Sequence, residues 1–323
     1  MTAPGGLVGL VGLVGAVAQV VLVAVGSPLL AGLMRQVRAR LEGRAGAGVG
    51  QAWRDLRKLS RKQAITPHGT GWVFRMAPLV LAGTALVVAA VMPLVTTRSP
   101  FDGVADLFAV AALLALGSVA LALGGLDTGT AFGGMGASRE VTVLALVEPT
   151  ILLSVFALSV RAGSTNLGVI VTSALRNPLS VISPVSLLAA VALVVVTMAE
   201  TGRIPVDNPS THLELTMIHE AMILEYAGPD LALIEWASAM RLSVLLGLLG
   251  SLFVPWGIAT AGAGPGSVAL AMGLLVVKVA VLGTVLAAAE VFMAKLRLFR
   301  IPELLAGSFM LALLAVAASC FLT

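Results

Sequence analysis

The chain has 323 residues, of which 59% are hydrophobic and 11% charged, with a mean hydropathy of +1.04 and a formal net charge of +4. Soluble domains carry roughly 25% charged residues, so this chain has too little polar surface to stay dissolved, and no hydrophilic block is long enough to fold apart from the rest. Its lone cysteine, Cys320, excludes an iron-sulfur cluster or a cysteine-bound nickel-iron centre held by this chain, so a redox metal of either kind belongs to a partner.

A spanning helix needs about 20 mostly apolar residues. Runs near 6–34, 73–95, 104–126, 141–160, 180–200, 240–258, 267–290 and 304–322 meet that length. They predict an all-α polytopic membrane protein with about eight transmembrane helices, in a single transmembrane domain over residues 1–323. Runs this long and non-alternating do not suit a β-barrel. The first run has no basic residue before it and no A-x-A-like site after a short core, so no cleavable signal peptide is expected. Its regularly spaced Gly6, Gly9, Gly12 and Gly15 predict close helix packing through small residues.

The connection over 35–72 contains an amphipathic stretch. Trp53, Leu56 and Leu59 recur at helical spacing while Arg54, Arg57, Lys58, Arg61 and Lys62 point elsewhere, the pattern of a helix lying in the membrane interface. With this loop in the cytoplasm, the same side collects most of the basic residues, from Arg35 to Arg300 and with Arg241 among them. The other side keeps Arg98, Arg161 and Arg176. Both termini are therefore expected outside the cell inner membrane, and the pI near 9.8 reads as a topology signal with no nucleic acid as partner. The Gly-rich stretch 124–136 lacks the Gly-Lys-Ser/Thr of a P-loop and follows a membrane helix, so a flexible cytoplasmic turn is expected there.

Within the runs, Glu148, Lys278 and Glu290 stand out. Intramembrane charges cost about 2.5 to 3.5 kcal/mol on insertion scales and commonly mark ion or proton pathways. Pro149 follows Glu148 and removes a backbone donor in mid-helix. An ion pair of Glu148 or Glu290 with Lys278 is the structural alternative.

The segment from Glu200 to Pro209 ends a run in charge, and Pro205 and Pro209 prevent continued helix. Asn208 offers an N-cap with Pro209 at the first helical position, and Thr211 and Glu214 have capping-box spacing. A helix is predicted through Glu214, Ile218, Ala221 and Glu225, with the two carboxylates near one face and His212 and His219 on another. His219-Glu220 begins like a zincin helix, but the second histidine would fall at Ile223, so no metal is expected.

These residues resemble a known family. Glu200-Thr201-Gly202-Arg203-Ile204-Pro205-Val206-Asp207, Glu214-Leu215 and Glu225-Tyr226-Ala227-Gly228 look like the Glu-Thr-Asn-Arg-x-Pro-x-Asp, Glu-Leu and Glu-Tyr-Ser-Gly signature of respiratory complex I subunit 1. Arg139 and Glu148, nine residues apart, match that subunit's pair. Gln51, Asp55, Lys58 and Leu59 match its first cytoplasmic loop, and Lys278-Val279 its seventh span. The departures choose a branch. Arg44-Ala45-Gly46-Ala47-Gly48 is short and lacks the family's proline and asparagine, and Gln63 replaces an acidic residue. Thr211 to Tyr226 and Lys295 to Glu303 look like the membrane-anchor subunit of group 4 nickel-iron hydrogenases, of the formate hydrogenlyase subunit 4 and hydrogenase-4 component C type.

The resemblance implies a membrane subunit that binds no cofactor itself. It would dock hydrogenase large and small subunits and an iron-sulfur protein, beside antiporter-like membrane subunits. Glu148, Glu200, Glu214, Glu225, Lys278 and Glu290 would form a proton or ion route. Arg44, Asp55, Lys58, Arg139, Arg203, Asp207, His212, His219 and Arg300 would serve as charge partners and interface. A passive anchor with no ion path stays open, as do two further alternatives. One is the quinone-site subunit of a complex I-like dehydrogenase, against which the altered first loop argues. The other is a stand-alone secondary transporter, which predicts an internal repeat and broken helices in matching halves; the sequence has neither.

Overall fold

The computed structural model describes residues 4–98, 100–207, 217–260, 262–294, 296 and 300–321, with side chains from residue 12 onward and without that of Ser180. Its long helices are α1 (Pro4–Leu41), α3 (Trp72–Val91), α4 (Leu107–Asp127), α5 (Ala131–Ala162), α10 (Gly228–Phe253), α11 (Pro265–Phe292) and α12 (Ile301–Phe321). All seven are long and apolar enough to cross a membrane, α1 over Gly12–Leu41. Shorter helices are α2 (Gln51–Ser60), α6 (Leu167–Arg176), α7 (Pro178–Val181), α8 (Pro184–Glu200) and α9 (His219–Ile223). The chain is a multi-pass membrane protein. The eighth expected crossing is α8, 17 residues of apolar helix whose start is fixed by the hydroxyl of Ser183 accepting from Ser186 N–H at 3.2 Å.

The long helices and α8 alternate in direction. One end of the bundle therefore gathers the C-terminal ends of α1, α4, α8 and α11 with the starts of α3, α5, α10 and α12. This is the end that carries α2, which packs across α10 and α1 with Ala52 buried and Arg54, Arg57 and Lys58 exposed, as the amphipathic pattern predicts. Inside the bundle, α3 packs on α4 and α10, α5 on α4, α8 and α12, and α1 on α10 and α11. Gln19 ties α1 to the end of α3. Its amide donates to Ala89 O at 2.6 Å and Met92 O at 2.7 Å, and its carbonyl accepts from Val95 N–H at 3.0 Å.

Three expectations are corrected. The stretch 124–136 is mostly helix: α4 runs through Gly125, the turn is Thr128 to Thr130, and the Thr130 hydroxyl accepts from Gly133 N–H at 3.2 Å to start α5. Gly124 and Gly136 serve packing, since a Cβ on Gly136 would lie 2.9 Å from that of Ala221 and one on Gly124 would collide with the Tyr226 hydroxyl. The run over 240–258 starts at Gly228, with Pro229 in its first turn, so Arg241 lies inside the bundle and does not belong to a loop. Of the helix expected from Glu214 to Glu225, the described residues from 217 onward hold the single turn α9. Ile218 precedes it as an N-cap without a side-chain cap bond, and Glu225 sits in the turn after it. The Asn208 cap and the Thr211 capping box lie outside the described residues.

Candidate functional site

The turn after α8 builds the site. Thr201 caps the helix and Gly202 follows with φ +59. The N–H of Gly202 bonds to Ala199 O at 3.1 Å and that of Arg203 to Met198 O at 2.8 Å, the reciprocal pair of a left-handed helix stop. Glycine and asparagine tolerate that backbone best. This is the physical reason Gly202 stands where the family motif has asparagine. The stop leaves Glu200 facing the bundle core and sends Arg203 the other way.

Glu290, near the end of α11, is completely buried and pairs with both Arg38 of α1 and Arg203, the latter at 3.3 Å. These guanidiniums keep about one fifth of their side-chain surface, 18% and 19% respectively. Burial and the nearby Arg38 and Arg35 lower Arg203 to about 10, so it remains a cation at neutral pH. The second centre lies deeper. Glu200 pairs with Arg241 of α10, and Ser118 Oγ of α4 lies 3.2 Å from Glu200 Oε1. Arg241 also donates to Ser118 Oγ at 2.7 Å and to Leu114 O at 3.0 Å, with 6% of its side chain exposed.

An open polar cavity of about 330 Å³ reaches the first centre from the basic end of the bundle. Arg35, Arg38, Arg203, Glu235 and Glu290 line it. A smaller cavity, large enough for about one water molecule, borders the second centre and is lined by Glu140, Glu200, Asp207 and His219. His219 is lowered to about 4 by burial first and then by Arg241, with Asp207 opposing, so its imidazole is neutral at pH 7. A third cavity, about 360 Å³ and almost wholly apolar, lies between α1, α10 and α11.

The other sequence-predicted residues fall as follows. Glu148 is half-buried on α5 within electrostatic reach of Glu200, and its Oε1 has no hydrogen-bond partner among the described residues. Lys278 forms no ion pair with Glu148 or Glu290, because its Nζ donates to Val254 O at 2.6 Å, beyond the end of α10 farther from the basic loops. Arg139 donates to Met217 O at 2.8 Å. Asp207 Oδ2 accepts from the N–H groups of Ile218 and His219, each at 3.2 Å. Asp55 meets Gln51 Nε2 at 2.7 Å and Arg35 at 3.5 Å. Arg44 pairs with Glu42, while Lys58 and Arg300 are exposed. Glu225 is half-buried in its turn, and Glu214 and His212 lie outside the described residues.

Sequence reasoning missed Arg38, Glu140, Glu235 and Arg241 as site residues. For Arg241 a signal existed in Gly228-Pro229, a helix start that places the arginine mid-helix. The Glu225-Tyr226-Ala227-Gly228 motif proves to be partly structural. The Tyr226 ring stacks on Phe74 with centroids 4.0 Å apart, and its hydroxyl donates to Phe74 O at 2.9 Å. Gly228, at φ +62, leaves room for the backbone of Gln63. Among the described residues no three His, Cys, Asp or Glu side chains converge as metal ligands would.

Comparison with known proteins fits this architecture. Formate hydrogenlyase subunit 4 of Escherichia coli (strain K12) is 38% identical over 297 residues, covering 92% of this chain and 94% of the relative. Hydrogenase-4 component C of the same organism is 39% identical, covering 74% of each chain. An NADH-quinone oxidoreductase subunit of Syntrophobacter fumaroxidans is 31% identical, covering 70% of this chain and 71% of the relative. The fold is shared with a chain in the structure of the membrane-bound sulfane sulfur reductase, an archaeal respiratory membrane complex, with a TM-score of 0.82 at 19% identity over 95% of this chain and 98% of that one. The resemblance read from the motifs therefore holds: with the NADH dehydrogenase family model matching residues 14–321, the chain belongs to that family, the family of complex I subunit 1.

Proposed function

We propose that this chain is the membrane subunit of a hydrogenase or formate hydrogenlyase type complex, placed in the cell inner membrane with both termini outside. It docks a peripheral nickel-iron and iron-sulfur module at its basic end and links redox chemistry there to proton or ion movement through the bundle. The observation that carries this reading is the run of buried carboxylates inward from the open cavity, Glu290 with its two arginines and then Glu200 with Arg241. Ionised side chains in an apolar bundle are costly to keep and serve most often as proton or ion pathways. Two relatives, 38% and 39% identical, are named as parts of formate hydrogenlyase and hydrogenase-4, which supports the branch and the kind of partner. Glu148 would extend the route along α5, and Asp55, Lys58, Arg44 and Arg300 would face the docked module. Affinity purification in mild detergent should recover hydrogenase large and small subunits and an iron-sulfur protein with this chain. A stable subunit that works alone would overturn the proposal.

The apolar cavity between α1, α10 and α11 favours a second reading, in which a quinone tail enters the bundle. Extraction of the purified complex tests it: stoichiometric quinone supports this reading, and none after purification in native lipid counts against it.

A further inference from the structure

The open polar cavity and the small inner cavity share one wall, because Gly202, Asp207 and His219 line both. The inner cavity beyond that wall meets Glu140 and Glu200. The wall is tightly built. Asp207 Oδ2 accepts from the backbone N–H groups of Ile218 and His219, and Arg139, next to Glu140 on α5, holds Met217 O at 2.8 Å. A Cβ on Gly202 would lie 3.5 Å from that of His219, in ordinary van der Waals contact.

Gly202 has no side chain, and the carboxylate of Asp207 is engaged with backbone. The imidazole of His219 is the group in this wall suited to pass a proton, because a neutral ring offers one nitrogen as acceptor and the other as donor. Burial and the cation of Arg241 hold it in that neutral form, with Asp207 opposing. On the inner side, Glu140 lies within electrostatic reach of Glu200, Arg241 and Asp207.

Building on the proton-route reading above, we propose that His219 relays protons between the two cavities and that Glu140 is the first acceptor on the inner side. A proton from the open cavity binds the unprotonated ring nitrogen. The proton on the other nitrogen passes through the small cavity to the Glu140 carboxylate, which becomes the neutral acid. A flip of the ring about its Cβ–Cγ bond then returns the protonated nitrogen to the inner side. One proton is transferred and nothing is oxidised or reduced.

The test uses the whole complex in proteoliposomes, with redox-driven proton movement read by a fluorescent pH probe. His219→Gln and Glu140→Gln should each reduce proton movement at least about tenfold, and Glu140→Asp, which keeps a carboxyl, should restore most of it. Equal loss in Glu140→Gln and Glu140→Asp means that the side chain is structural and overturns the proposal, also where His219→Gln does not assemble. Wild-type proton movement in His219→Gln or Glu140→Gln overturns it as well. Glu200→Gln, measured in parallel, separates the two levels: if it blocks movement while both other Gln variants do not, the relay alone fails, and if it too moves protons normally, the route itself fails.

Discussion

The molecule holds two of its buried carboxylates, Glu290 and Glu200, in different ways. Glu290 sits between two arginines that each keep about one fifth of their surface, 18% and 19%, at the floor of an open polar cavity. Glu200 has one arginine, 6% exposed, and a serine hydroxyl, within the packed helices α4, α8 and α10. The Coulomb attraction of each pair is offset by the cost of taking both charges out of water, and that cost grows with depth. The outer centre can lean on solvent. The inner one depends on its partners staying in place, and a change in the charge of Glu200 must be felt by Arg241.

The largest effect should come from breaking the inner pair. Arg241→Met leaves Glu200 buried and unpaired, which costs about 3 to 5 kcal/mol, whereas the double variant with Glu200→Leu should recover much of the loss. Thermal unfolding in detergent checks both, and an Arg241→Met subunit as stable as wild type would show that water reaches Glu200. At the outer centre Glu290→Gln should cost less, about 1.5 to 3 kcal/mol, because Arg38 and Arg203 retain access to solvent. A larger loss than at the inner centre would reverse the comparison.

A third effect is confined to acid. The pKa of His219 is lowered from 6.5 to about 4, so the unfolded chain takes up a proton first as pH falls. Its contribution to stability is present above about pH 6.5 and is lost between there and about pH 4. His219→Gln should flatten unfolding against pH over that window; an unchanged slope would place the imidazole in water. The smallest effect belongs to the turn that divides the two centres. Gly202→Ala, at φ +59, should cost about 1 kcal/mol and Gly202→Asn less, as measured by unfolding of the two variants.

Much of this is legible in the sequence because apolar length and turn chemistry are local properties. Eight apolar runs correspond to seven spanning helices and the shorter α8, the spacing of Trp53, Leu56 and Leu59 to α2, and the charged end of α8 to the site. What is not legible depends on partners far apart in the chain. Glu290 meets Arg38, 252 residues away, and nothing near either residue announces the pair. Glu140 is hidden because the glycines before it read as a loop, when Gly136 is small so that α5 can pack against α9. Arg241 reads as a loop residue because hydropathy marks where a run turns apolar, and α10 begins twelve residues earlier than the run expected from residue 240.

The central claim is that the deep carboxylate exchanges protons. Glu200→Gln keeps the shape and the hydrogen bond to Ser118 but removes the exchangeable acid. With the whole complex in proteoliposomes, redox turnover should persist while proton movement per electron falls at least about tenfold. Wild-type proton movement per electron in a fully assembled Glu200→Gln complex would contradict it.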